Sequence, residues 1–131
     1  MFRLVKIKNG RINVPEMMRL PATASETYAD GEALVLSSGK VTKCAATTTP
    51  THICIENRNS ASAKDVWVYE ISDDMIFETT VTDAPTSLAI GDKVTLDTDG
   101  ASVTATKADG VATVYSLQGA TAANEKILVK F

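Results

Sequence analysis

The stretch "GDKVTLDTDGASVT" at residues 91–104 repeats, with small insertions, the grammar of "GEALVLSSGKVT" at residues 31–42. In each, a glycine and an acidic residue (Gly31-Glu32, Gly91-Asp92) precede apolar residues at alternate positions, Leu34 and Leu36 in the first, Val94 and Leu96 in the second. A polar turn holding Gly39 or Gly100 follows, and then Val-Thr at 41–42 and 103–104. Alternation with period two marks a half-buried strand, and glycine supplies the positive φ of a tight turn. Each phrase therefore predicts one β-hairpin. The shared positions fit duplication of a unit as well as two independent uses of hairpin grammar.

The same period runs outward in both directions. Residues 65–83, "DVWVYEISDDMIFETTVTD", predict a further hairpin, with Val66, Val68 and Glu70 on one face, Trp67, Tyr69 and Ile71 on the other, a bend at Ser72-Asp73-Asp74, and a return from Met75 to Thr82. Short strands are expected at Ile53–Ile55, at "GVATVY" (110–115) and at "KILVKF" (126–131). Near the N-terminus Val5 and Ile7 alternate with Lys6 and Lys8, then Asn9-Gly10 leads to Ile12 and Val14. Asn-Gly between alternating runs is a strong hairpin signal, and Pro15 then removes a ladder donor. Residues 15–30 read as an extended connection whose Met17, Met18 and Leu20 either cover an end of the core or reach a neighbouring subunit.

No segment keeps apolar residues at helical spacing, and valine and threonine abound. The expectation is an all-β fold: a small β-sandwich or β-barrel of about eight to ten short strands. An N-terminal hairpin and arm (1–30) would precede the β-domain (31–131), the whole forming one compact unit.

At 131 residues and 44% apolar content the chain can bury one real core. Its net charge of −3 disfavours general nucleic-acid binding, and three Phe, three Tyr and one Trp offer no evident stacking platform. The charge is uneven: residues 1–20 hold five basic residues against Glu16, a net of +4, and the remainder holds −7. No apolar run reaches the ~18 residues that cross a bilayer, and the N-terminus has no apolar signal-peptide core, so a soluble protein made in the cytoplasm is expected. Cys44 and Cys54 could face each other across a hairpin, but in that compartment free, half-buried thiols are favoured.

Catalytic chemistry has little to stand on. His52 is the sole histidine and has no acidic or cysteine cluster at ligand spacing. Asp73 and Asp74, near Glu70 and Glu78, sit where a bend uses aspartate for local hydrogen bonds. "DTDG" at 97–100 resembles the start of a calcium loop, but Thr106 stands where its closing glutamate belongs. No catalytic residue, cofactor or metal ligand is assigned, and the chain is not expected to be an enzyme.

Taken together, "GEALVLSSGKVT", "DDMIFETTVTDAPTSLAIGDKVTLDTDGASVTAT", "GVATVY" and "ILVKF" are similar to the head decoration (cement) proteins of tailed bacteriophages. The likeness rests chiefly on Asp74–Glu78 and Ile90–Val103. It implies a β-rich virion subunit, commonly trimeric, that binds the major capsid protein on the outside of the head and brings no catalytic residues. A tail or head-fibre β-module is the neighbouring alternative, and a carbohydrate-binding β-sandwich, stacking sugars on Trp67 and Tyr69, a more distant one. For contact with capsid or sister subunit the candidates are Lys6, Lys8, Arg11, Met17 and Met18. The charge of the arm and the adaptability of methionine motivate that choice. The competing reading makes residues 2–14 two ordinary strands with lysines on their solvent side.

Overall fold

The structure, a computed structural model, describes residues 1–8, 15–58 and 64–131. The expected Asn9-Gly10 turn, the strand at Ile12 and Val14, and Arg11 lie outside those residues. Among the described residues there are ten strands: β1 (Arg3–Ile7), β2 (Met17–Pro21), β3 (Ala33–Ser37), β4 (Lys40–Lys43), β5 (His52–Cys54), β6 (Asp65–Glu70), β7 (Met75–Val81), β8 (Lys93–Val94), β9 (Ala112–Ser116) and β10 (Glu125–Lys130). They form two five-stranded antiparallel sheets, ordered β1-β7-β10-β9-β8 and β2-β6-β5-β3-β4. The fold is all-β, as the period-two patterning requires.

Two sequence expectations are corrected. Residues 15–30 are not wholly an extended connection, because Met17–Pro21 pairs with β6 from Met17 opposite Tyr69 to Pro21 opposite Asp65. Residues 65–82 are not a hairpin either: β6 and β7 belong to different sheets, and the Ser72–Asp74 bend carries the chain from one to the other. Alternation places side chains on faces but does not say which strand is the neighbour.

The repeated phrases prove to be parts of a larger repeat. β3 meets β5 with Ala33 opposite Ile53 and Leu34 opposite His52; sixty positions on, β8 meets β9 with Lys93 opposite Thr113 and Val94 opposite Ala112. β2 opposes β6 at Met18/Val68 and Leu20/Val66, and β7 opposes β10 at Phe77/Val129 and Thr79/Ile127. β5 opposes β6 at Ile53/Tyr69 and Cys54/Val68, matched by Thr113/Lys130 and Val114/Val129. Even the parallel bridge that curls each sheet recurs, Ala22 with Val41 and Val81 with Val103. The step between equivalents is 59 at β2 and β7, 60 through the middle, 62 from Val41 to Val103 past the longer second tip, and 61 at β6 and β10. Hairpin grammar alone would not reproduce this pairing across four strands.

Each copy has its own interior made from equivalent positions. Ala22, Tyr28, Leu34, Val41, Cys54, Val66 and Val68 are buried in the first; Val81, Leu88, Val94, Val103, Val114, Ile127 and Val129 are buried in the second. The reverse face of the first sheet adds Ala33, Ile53 and Tyr69 to the second core. Aromatic rings join the copies there. Tyr69 stacks on Phe77 with centroids 6.5 Å apart, and Phe2 meets Phe77 and Phe131 edge-on at 6.4 and 5.2 Å.

Both phrases open on the same turn. Glu32 N–H donates to Ala29 O and Asp92 N–H to Ala89 O, 3.1 Å in each case. The carboxylates reach back to accept from Ala29 N–H (2.9 Å) and Ala89 N–H (2.8 Å). Between them Gly31 and Gly91 adopt φ of 76° and 94°. A lysine closes each turn, Lys43 at the end of β4 and Lys107 beyond Val103: Lys43 Nζ lies 2.8 Å from Glu32, Lys107 Nζ 2.7 Å from Asp92. The hairpin tips differ. Ser38 and Gly39, both at positive φ, make a two-residue turn between Ser37 and Lys40. Leu96 and Val103, in contrast, bracket a longer tip braced by the Asp99 carboxylate on the Ala101 and Ser102 amides.

The shared turn predicts an unequal pair of substitutions. Gly91→Ala meets open space and suffers only the left-handed backbone, about 1 kcal/mol. At Gly31 a Cβ would stand 3.0 Å from Phe2 O and still closer to the Met1 side chain, so Gly31→Ala should cost more. Chemical denaturation of both variants tests this; equal losses would show that the N-terminal segment yields freely.

Candidate functional site

Two exposed apolar side chains stand on adjacent strands at the β2 edge of the first sheet. Met17 on β2 is 52% exposed and Trp67 on the neighbouring β6 is 42% exposed, although both are large apolar side chains. The Arg19 guanidinium sits over the Trp67 ring, 5.6 Å from its centroid. Beside them is a cavity of about 340 Å³, lined by Phe2, Leu4, Met17, Ile53, Ile55 and Tyr69 among others, with Arg3 and Asp30 in its wall. Clusters of exposed apolar side chains with polar rims mark contact surfaces in soluble proteins.

The sequence candidates divide around this surface. Met17 is part of it. Met18 points the other way and packs on the first core, as the alternation of a strand requires. Lys6 is exposed on β1, opposite Ile76 of β7. Lys8 holds Asp74 O through its amide, and its ammonium stands 4.8 Å over the Tyr115 ring. Trp67 and Tyr69 do not form a two-ring platform, because Tyr69 is only 6% exposed and stacks on Phe77. Arg19 and Trp67 were not singled out as a pair, since strand order alone brings β2 and β6 together.

The titratable groups are held as parts of the scaffold. Cys44 and Cys54 are free and buried, and burial pushes their thiols up to about 12 and about 11. Such thiols are poor nucleophiles at neutral pH. Glu32, 1% exposed, has Lys43 as the counter-charge to its Oε1. Glu78 is held below the usual carboxylate range by the hydrogen bond from Lys126 and by Arg3. Among the described residues no three His, Cys, Asp or Glu side chains gather as a metal site, and no helix is long and apolar enough to cross a membrane.

No family model matches the chain, and no curated protein matches it. A solved structure does: the head fibre gp8.5 N base of bacteriophage phi29, with a TM-score of 0.58 and 14% sequence identity. The match covers 88% of this chain and 94% of that one. At that identity the likeness is one of fold.

His52 makes the scaffold sensitive to mild acid. Burial lowers its pKa below the ordinary 6.5, with Glu70 opposing. The folded chain therefore prefers neutral imidazole, while the unfolded chain takes up the proton near pH 6.5. The contribution to stability is present above that pH and lost as pH falls. Glu78, Asp92 and Glu125 are held low, so theirs fades only nearer pH 4. Wild type should lose melting temperature between pH 7 and 5.5, and His52→Gln should lose much less. A parallel decline in the variant would assign the effect elsewhere.

Proposed function

We propose that this chain is a structural protein of a bacteriophage head, binding the outer surface of the capsid as a trimer and stabilising it. The observation that carries the reading is the near-complete overlap, 88% against 94%, with a phage head-fibre base. The resemblance of Asp74–Glu78 and Ile90–Val103 to head decoration proteins leads to the same part of the virion by a separate route. Buried thiols and carboxylates tied to lysines and amides are what a rigid binding module needs. The exposed Met17–Trp67 surface supplies an area to bind with. A module at the base of a head fibre is the second reading, favoured by the identity of the structural neighbour.

Purified chain mixed with capsids of the phage that encodes it should co-sediment with them and raise the temperature at which heads release DNA. Association with tails alone, or none at all, would overturn the reading. Fibre antibodies labelling the same particles at the same sites would favour the fibre base. Free in solution, the chain should sediment at three times 13.9 kDa; a monomer both free and on the capsid would remove the trimer. Changing Lys6, Lys8 and Arg11 together to glutamine should weaken capsid occupancy, most at low salt. Unchanged occupancy would place the capsid contact elsewhere.

A further inference from the structure

β2 and β7 are the same strand in the two copies, yet their outer edges differ. On β7 the edge away from β10 is taken by β1, antiparallel, with Leu4 opposite Phe77 and Arg3 opposite Glu78. The Arg3 guanidinium lies 3.1 Å from the Glu78 carboxylate. On β2 the edge away from β6 is met by β4 only at its end, through the Ala22–Val41 bridge, and along Met17–Arg19 it has no strand among the described residues. Stepping back 59 positions puts Met18 where Phe77 stands and Arg19 where Glu78 stands. The slot is alike in backbone and in its apolar position, but its charge is inverted.

Beyond its contact with the Trp67 ring, that charge has no carboxylate partner among the described residues. Arg19 is exposed and forms no ion pair, and neither undescribed stretch, 9–14 or 59–63, contains an Asp or Glu. Pro15 and Pro21 bracket the edge, which confines any added strand to a few residues and guards against indiscriminate sheet growth. Met17 and Trp67 stand exposed alongside.

We propose that the outer edge of β2 receives an extended, acidic segment of a partner protein. The segment adds to β2 as β1 adds to β7, with a carboxylate opposite Arg19 and an apolar side chain opposite Met18. Main-chain bonds supply the attachment and the alternate side chains the selectivity, as in other strand additions. A basic strand such as β1 itself is disfavoured there, since like charges directly opposite repel. The proposal rests on the internal repeat and stands whether or not the partner is a capsid protein.

The test uses the full chain and a ten-residue peptide of alternating glutamate and valine, with a lysine-for-glutamate peptide as control. The glutamate peptide should shift Trp67 fluorescence and slow hydrogen exchange at those amides of Met17–Leu20 that point away from β6. It should bind roughly two- to fivefold better per opposed charge than the lysine peptide. Arg19→Glu should reverse the preference. Equal binding of both peptides, binding indifferent to Arg19→Glu, or no binding would overturn the proposal. So would protection of those amides in the free chain. If that protection depends on concentration, a second copy is the occupant; if it does not, the chain's own segment is.

Discussion

A carboxylate that bends back to cap the amide three residues before it, across a glycine at positive φ, is the joint on which this molecule is built. It occurs at Ala29–Glu32 and again at Ala89–Asp92. In both places the same turn also fixes the next strand to its partner. Gly31 N–H donates to Cys54 O and Cys54 N–H to Glu32 O, while Gly91 and Asp92 make the same exchange with Val114. One small turn thus sets register as well as direction, and a one-residue slip would turn every core side chain to solvent. The acid cannot be truncated without freeing an amide, and the glycine cannot gain a side chain without strain.

Much of this was open to reading because the relevant forces are local. Alternation, the Gly-acid openings and the turn glycines lie within a few residues of one another, so the strand class and the positions of β3, β4, β8, β9 and β10 could be anticipated. What could not be read was partnership. Nothing within residues 65–82 says that β6 and β7 part company; that follows from Tyr69 and Phe77 stacking between sheets and from β1 and β2 claiming opposite edges. The weak alternation of Met17–Pro21, with a proline at its end, hid β2 for the same reason: its stabilisation comes from β6, forty-eight residues beyond. The contact surface was half legible. Met17 was named for its adaptability, whereas Trp67 and Arg19 meet only through the pairing of β2 with β6.

The two copies share a frame and have diverged at its surface. Glu32 is sealed in, where breaking a buried ion pair is costly, whereas Asp92 is partly open to water. Tyr28 in the first core anchors its hydroxyl to Val41 O and Glu26, and Leu88 at the equivalent place merely packs. Asp30 faces the apolar cavity from the first turn, while Ile90, its equivalent, is 71% exposed on the second. Repeating a stable frame lets one copy hold the molecule together while the other presents a different face.

The inverted charge at Arg19 and Glu78 also bears on how the chain finds its fold. Synthesis runs from the N-terminus, so all of β2 to β6 has been made before β7 exists, and these strands can close on their own core. During that interval β1 has a ready but wrong docking place, the outer edge of β2, only a short tether away. Entering it in the register that β1 later takes on β7 would set Arg3 against Arg19, and like charges facing across a ladder repel. When Met75–Val81 emerges, the equivalent edge offers Glu78, and Phe2 gains Phe77 and finally Phe131. Opposite charges at these two equivalent places would favour β1 on β7 over β2 by about 0.2–1 kcal/mol for the facing pair, a bias present as soon as both edges exist.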